Sequence, residues 1–131
     1  MLKKTIKYTD YDGNEREEDF YFNLNKAELI QMNFSAEGGL ENTLRKIVAE
    51  KDIKAVGELV RSIVLKAYGE KSFDGKRFMK SAEAAKAFEE TNAFSELYVE
   101  LLSDADNLAS FVTASLPPEF QGDTTVNTPV S

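Results

Sequence analysis

Carboxylates are the side chains of this sequence best suited to binding a metal ion or moving a proton. They cluster at Glu15, Glu17, Glu18 and Asp19. If this segment is a strand, Glu17 and Asp19 lie on one face and Glu18 on the other, and no nearby residue completes a ligand set. A solvated strand edge, whose charges discourage edge-to-edge aggregation, therefore explains the run better than a metal site.

Residues 10–14 resemble the start of a calcium-binding loop. An EF-hand loop has its glycine at position six and a bidentate glutamate at position twelve. Here Gly13 comes two positions early, and Tyr21 stands where the glutamate is required. The pair Asp12-Gly13 lies between two strand-like runs and predicts instead a β-hairpin turn of type I′.

The sequence contains no histidine and no cysteine. Ser-His-Asp and Cys-His catalysis, imidazole ligands and thiolate ligands are therefore excluded. The pair Gly38-Gly39 precedes a helical pattern, but no lysine follows at P-loop spacing, so we interpret it as a helix break. From these residues we predict a protein that is not an enzyme and that uses no metal or other cofactor.

The composition is that of an acidic globular protein. Hydrophobic residues make up 42% and charged residues 30% of the 131 positions, which suits one folded domain. The net charge of −7 opposes binding to a phosphate backbone or an anionic membrane, so we expect neither nucleic acid nor membrane as a partner. The basic N-terminus lacks the apolar stretch of a signal peptide, so we predict a cytoplasmic protein.

Alternating polarity on both sides of the first Asp-Gly pair predicts a β-hairpin over residues 1–23. From Asn25 the apolar spacing becomes helical, and Glu28 three positions later completes a capping-box pattern. Helical spacing then recurs to residue 116, with Ser81 and either Ser103 or Asp104 as further helix starts. We expect a mainly α (α+β) fold in which the hairpin precedes a bundle of five to six short helices over residues 25–116.

Two features punctuate this helical region. Gly69 is predicted to end the long helix that Asp52 begins. Residues 72–78 contain a second Asp-Gly pair between aromatic residues, which predicts either a tiny hairpin or a structured loop. This turn also carries Lys76 and Arg77, two cations that could contact an acidic partner.

The domain prediction is a single globular unit over residues 1–118. Residues 119–131 are dominated by Gln, Gly, Asp, Thr, Asn and Pro, with too little apolar surface to fold alone. We predict that they form a flexible, disordered C-terminal tail.

The later helices carry an apolar stripe with two interpretations. Such a stripe usually faces the core of the protein. Short amphipathic helices also leave apolar surface between them, which supports recognition of a partner helix in a groove. The candidate partner-binding residues are Phe94, Tyr98, Phe111 and Leu116.

The order of these elements resembles the tail assembly chaperones of long-tailed bacteriophages or prophages, particularly those of Gram-positive hosts. The resemblance covers residues 1–118 and rests on the hairpin, the Gly38-Gly39-Leu40 helix start and several segments. They are residues 20–29 (FYFNLNKAEL), 72–78 (SFDGKRF), 91–98 (TNAFSELY) and 107–111 (NLASF), closing on Leu116-Pro117. The family has no catalytic signature, so no functional residue is carried over.

The resemblance implies a non-catalytic helper that binds the tape measure protein and helps recruit tail tube subunits during tail morphogenesis. It implies action in the cytoplasm of the bacterial host and absence from the mature virion. Many members are also made in a longer form by ribosomal frameshifting, and the polar tail would suit that junction. Two alternatives stay open. One is a structural tail or head–tail connector component that self-associates through its hairpin, and the other is a small acidic protein-binding adaptor.

Overall fold

The N-terminal hairpin forms where the alternation of the sequence predicts it. The computed structural model describes residues 1–31 and 53–117. Strand β1 spans Leu2–Thr9 and strand β2 spans Glu15–Phe22, and the two pair antiparallel along their whole length. Because side chains alternate across a strand, this register gives the hairpin one apolar and one charged face.

The two faces of the hairpin have different environments. Ile6 and Phe22 are buried on the side that meets the helices. On the other side Lys7 and Glu17 lie opposite each other and are exposed. Opposite charges on facing strands stabilise the pairing modestly, so the charged face supports the register while the apolar face anchors the hairpin.

The turn of this hairpin is longer than the sequence predicts. The Asp10 amide donates to the Asn14 carbonyl at 2.9 Å, so three residues lie in the loop instead of the two of a type I′ turn. Gly13 has φ of 85°, a left-handed conformation that favours glycine, and its amide donates to the Asp10 carbonyl at 3.0 Å. This pattern is typical of a three-residue hairpin loop that ends in a left-handed glycine.

A second hairpin extends the sheet and confirms the hairpin alternative for residues 72–78. Strand β3 spans Tyr68–Lys71 and strand β4 spans Phe78–Met79, and the sheet order is β1-β2-β3-β4. The region over residues 25–116 that the sequence predicts as a helical bundle therefore also contains these two short strands. Gly69 does not end a helix but lies in β3, because the preceding helix ends two residues earlier.

Gly69 is required by packing within the second hairpin. A Cβ atom at this position would lie 2.5 Å from Cε2 of Phe78 and 2.9 Å from the Met79 carbonyl oxygen. Real Cβ atoms do not approach neighbours so closely, so glycine lets the Phe78 ring lie against the β3 backbone.

The described residues contain five helices, in agreement with the predicted α+β class. Their bounds are α1 Lys26–Gln31, α2 Ile53–Ala67, α3 Ala82–Glu89, α4 Asn92–Ser103 and α5 Ala105–Ser115. The longest has 15 residues and the others 12 or fewer, so the helices are mostly short as expected.

The helix starts follow the predicted capping residues. Asn25 Oδ1 accepts from the Glu28 amide and Glu28 Oε1 accepts from the Asn25 amide, both at 2.9 Å, which is the reciprocal capping box. Ser81 caps α3, and Asp104, one of the two alternatives, caps α5. Thr91 caps α4, a start that the sequence reasoning did not name.

The core lies between the helix-facing side of the sheet and α2, α4 and α5. Its aromatic centre joins both layers: the Phe22 ring meets Phe111 edge-on at 5.0 Å, and Tyr68 stacks on Phe88 at 4.5 Å. Aromatic pairs of this kind add to the stabilisation from burial itself. The largest side chains that are almost fully buried are Phe22, Leu24, Val60, Ile63, Val64, Leu97, Leu101 and Leu108.

Lys80 fastens the sheet to α1 and α2. Its Nζ donates to the Asn23 carbonyl at 2.6 Å and to the Lys66 carbonyl at 2.7 Å, and it pairs with Glu28 at 2.6 Å. Burial lowers the pKa of Lys80, while the Glu28 carboxylate acts in the opposite direction. Three acceptors on one half-buried ammonium compensate its loss of water.

Several sequence-based predictions lie outside the described residues. They are the break at Gly38-Gly39, the helix through residues 40–48, the helix cap at Asp52, and the flexible tail over residues 119–131. Within the described ranges, no helix is both long and apolar enough to cross a membrane.

Candidate partner-binding surface

Helix α4 carries the clearest of the predicted apolar stripes, and the structure divides it into two parts. The Thr91 hydroxyl accepts from the Phe94 amide at 3.2 Å and so fixes where the helix begins. Leu97 and Leu101 then face inward with only 1% and 2% exposure. Phe94, Tyr98 and Leu102 are only partly buried at the margin of the core, so these residues of the stripe could contribute both to packing and to a partner contact.

Phe94 and Tyr98 form an aromatic pair over α2 and α3. Their ring centroids lie 5.6 Å apart, and Phe94 meets the buried Phe88 edge-on at 5.8 Å. The Tyr98 hydroxyl lies above the backbone of Gly57, where a Cβ atom would come within 2.5 Å of it. The lack of a side chain at Gly57 is therefore what allows Tyr98 to reach across to α2.

The other two predicted site residues have different environments. Phe111 is 4% exposed and belongs to the core through its contact with Phe22. Leu116 ends α5, where it is partly buried against the core. The structure thus brings Phe94 and Tyr98 together at a surface, whereas Phe111 lies in the core against Phe22 and Leu116 at a helix end. Their role in partner binding stays a prediction.

The grooves beside β1 are charged more than apolar. One of 480 Å³ runs between the hairpin and α4, and its lining includes Lys7, Glu15, Arg16, Glu17 and Glu96. Next to it, Val99 is 60% exposed beside the free edge of β1. In the part of the chain that the structure describes, these grooves offer little apolar surface to a partner helix.

The acidic run of β2 is divided between the two faces of the sheet, as its parity predicts. Glu17 and Asp19 are exposed, whereas Glu18 is half-buried and accepts a hydrogen bond from the Tyr8 hydroxyl at 2.5 Å. That bond is the main cause of the raised pKa of Tyr8. Across residues 1–31 and 53–117, no three acidic side chains lie close enough to hold a metal ion.

Asp10 uses both carboxylate oxygens inside the first turn. Oδ1 accepts from the amides of Asp12 and Asn14 at 2.9 Å, and Oδ2 accepts from Arg16 at 2.5 Å. These bonds, the one from Arg16 first, lower the pKa of Asp10 from 3.8 to about 2. The carboxylate that would begin a calcium loop therefore organises the hairpin instead.

The turn between β3 and β4 exposes a residue that the sequence reasoning did not place in a site. Phe73 is fully exposed at its tip, and Lys76 and Arg77 follow it in the same turn. An aromatic residue inside a short Asp-Gly turn was a usable signal, because turn tips are solvated and no core is within reach there.

A comparison with protein families identifies the kind of protein to which these surfaces belong. A family model described as phage tail assembly chaperone matches residues 1–129. The chain belongs to this family. The match extends the resemblance noted over residues 1–118, and no curated protein and no solved structure matches the chain.

Membership gives the surfaces described above a context. A tail assembly chaperone acts on phage tail proteins, so its partners are proteins of the tail. A working surface in such a chaperone needs groups that bind another polypeptide. The aromatic pair on α4 and the turn that carries Phe73 are two of the described places where aromatic side chains reach the surface, and the first hairpin loop with Tyr11 is another.

Proposed function

We propose that this phage tail assembly chaperone binds the tape measure protein and helps recruit tail tube subunits during tail morphogenesis. It acts without catalysis, in the cytoplasm of the bacterial host, and leaves before the virion is complete. The observation that carries the proposal is the family match over residues 1–129. We propose that the gene belongs to a phage or prophage of a Gram-positive host.

The charge of the chain supports a solubilising role. A net charge of −7 keeps the chaperone and anything bound to it dispersed by repulsion between like charges. A long partner with repeated apolar segments would bind many copies, so each contact needs only modest affinity. An acidic chain with a small aromatic surface suits the binding of many copies along one long partner.

The proposed contact surface is the margin of the helical layer. Phe94 and Tyr98 offer two partly exposed rings on α4, and the predicted set also includes the core residue Phe111 and Leu116 at the end of α5. Aromatic residues are enriched among interface positions that contribute most to binding. We propose that the tape measure contact lies there; the single unit over residues 1–118 and the flexible tail after it stay predictions.

Co-expression with the tape measure protein of the same phage tests the function. We expect the tape measure protein to be soluble and to co-purify with the full chain, and to be insoluble without it. Tyr98→Ser tests the surface, with Val99→Ser as the matched control. Val99 is the next residue along α4 and is 60% exposed beside β1. A tape measure protein that stays insoluble and unbound in the presence of the wild-type chain contradicts the proposal.

The structural alternative makes a different prediction about the finished particle. A tail or connector component is present in purified virions at a fixed copy number, whereas an assembly chaperone is absent from them. Mass spectrometry of purified particles therefore separates the two. For the proposed longer form, sequencing the DNA at the codons of residues 119–131 should show a slippery heptamer with an overlapping frame.

A further inference from the structure

Residues 71–77, from the last residue of β3 to the residue before β4, present an aromatic side chain that the fold itself does not use. We call these residues the Phe73 turn. The Phe73 side chain is as accessible as in an unfolded chain, at 108% relative exposure. Exposing a phenylalanine sacrifices the burial free energy of one of the most apolar side chains. Connecting two short strands needs no such residue.

Hydrogen bonds hold the Phe73 turn in one shape. The Ser72 amide donates to the Arg77 carbonyl at 2.8 Å, and the Arg77 amide donates to Ser72 Oγ at 3.0 Å. Asp74 Oδ1 accepts from Ser72 Oγ at 2.7 Å and from the Lys76 amide at 3.0 Å, which lowers the pKa of Asp74. Gly75, with φ of 77°, completes the turn. A group held on a rigid support loses less conformational entropy when it binds.

Cations lie on both sides of Phe73 in the sequence. The side chains of Lys71, Lys76 and Arg77 are exposed, and among the described residues none of them forms an ion pair. Asp74, the one acid among residues 71–77, uses Oδ1 in the turn's own hydrogen bonds and stays charged, so three cations face one anion in this segment. In a chain of net charge −7, this is a locally basic tip with an apolar centre.

We propose that the Phe73 turn is a second docking element, which inserts Phe73 into an apolar pocket of a tail protein rimmed by carboxylates. The proposal rests on the proposed function, since it names how the tape measure or tail tube partner is held. Interface residues that contribute most to binding are typically aromatic or arginine side chains in a desolvated pocket, surrounded by contacts that exclude water. Complementary charge at the rim speeds association and selects the partner.

Two other occupants fit less well. A second copy of this chain carries the same charge of −7, so copies repel each other. An anionic bilayer repels the chain for the same reason, although it would attract the basic Phe73 turn taken alone. Both remain distinguishable outcomes of the experiment below.

The experiment compares Phe73→Ser with Tyr11→Ser in the full chain. Tyr11 is the matched control, because it lies in the other Asp-Gly hairpin loop and is 78% exposed. Each variant is tested against the tape measure protein and against the tail tube protein in a quantitative binding assay. We expect Phe73→Ser to bind one of them at least tenfold more weakly at an unchanged melting temperature, while Tyr11→Ser binds like the wild type. Reversing Lys76 and Arg77 to glutamate should also weaken binding at least tenfold, with the wild-type affinity falling as salt is added.

Other results overturn the inference in separable ways. Binding by Phe73→Ser equal to that of the wild type refutes the docking element while the proposed function stands. If Phe73→Ser and Tyr11→Ser weaken binding equally, the effect comes from losing any exposed aromatic residue, and this result also refutes the docking element. If the wild type binds neither tail protein, the proposed function fails and the inference falls with it. A Phe73-dependent dimer in sedimentation, or Phe73-dependent binding to phosphatidylglycerol vesicles, assigns the turn to a second copy or to a membrane instead.

Discussion

The contact between Gly57 and Tyr98 can be tested by substituting both residues. A Cβ atom at Gly57 would lie 2.5 Å from the Tyr98 hydroxyl oxygen and 3.7 Å from Cζ of the same ring. Gly57→Ala should therefore displace the ring, at a typical overpacking cost of about 2 kcal/mol. Alanine in a helix interior is about 1 kcal/mol more favourable than glycine. We expect a net loss of about 1 kcal/mol in the free energy of unfolding.

Removing the hydroxyl should reverse the sign of the alanine effect. In Tyr98→Phe the nearest ring atom to the new methyl group is Cζ, and 3.7 Å is an ordinary van der Waals separation. In that background Gly57→Ala should keep only its helix-forming advantage of about 1 kcal/mol. The two substitutions should therefore couple by about 2 kcal/mol, which lies within the range seen for residues in contact.

Urea unfolding of the wild type, both single variants and the double variant measures this coupling. A shift in the midpoint at constant slope gives the change in stability. Tyr68→Phe combined with Gly57→Ala is the control, because Tyr68 stacks on Phe88 and has no atom near Gly57. If Gly57→Ala and Tyr98→Phe add within about 0.5 kcal/mol, Tyr98 does not lie over α2, and the aromatic pair on α4 is not placed as described.

Three further predictions follow from the core, the first turn and the lysine junction. Leu97→Asp should lose the cooperative unfolding transition seen by circular dichroism, because Leu97 is 1% exposed. A buried unpaired carboxylate costs several kcal/mol, which is about the stability of a small domain. An unchanged melting temperature would place Leu97 at a surface. Asp10 has its folded-state pKa lowered to about 2 by Arg16, so its contribution to stability is complete above pH 3.8 and is lost as the pH falls from there towards 2. Asp10→Asn should therefore flatten the acid limb of a melting-temperature titration, and an identical limb in the variant contradicts this assignment. Lys80→Met removes the partner of Glu28 and of two backbone carbonyls, so it should lower the free energy of unfolding in urea by about 2 kcal/mol. The loss should be smaller when Glu28→Gln is already present. Equal losses in both backgrounds would show that Lys80 and Glu28 do not interact.

Local signals in the sequence predicted the elements that local contacts hold together. The capping box of Asn25 and Glu28 joins residues three apart, and Ser81 caps its helix through an amide three residues on. The parity of β2, which buries Phe22 and exposes Glu17, follows from the alternation of the strand alone. Such interactions can be predicted from sequence because both partners lie within one turn or one strand.

The extension of the sheet could not be predicted in the same way. Strand β3 pairs with β2 through Phe22 opposite Tyr68, two residues separated by more than forty positions along the chain. β3 has four residues and β4 two, too few for alternation to be distinguished from a helix end followed by a loop. Gly69 illustrates the ambiguity: a glycine after a helix is typical of a stop, yet here it admits the Phe78 ring.

The candidate site was predictable in kind but not in position, because exposure depends on which neighbours cover a side chain. Phe94 and Phe111 are equivalent in the sequence, as apolar residues at helical spacing. In the structure Phe111 packs against Phe22 in the core, whereas Phe94 is only partly buried at its margin. Phe73 shows the converse. Its turn was predictable from Asp74-Gly75, and residues at the tip of such a turn have no core to reach. Turn chemistry therefore indicates an exposed aromatic from local sequence alone, where helical periodicity leaves core and surface undecided.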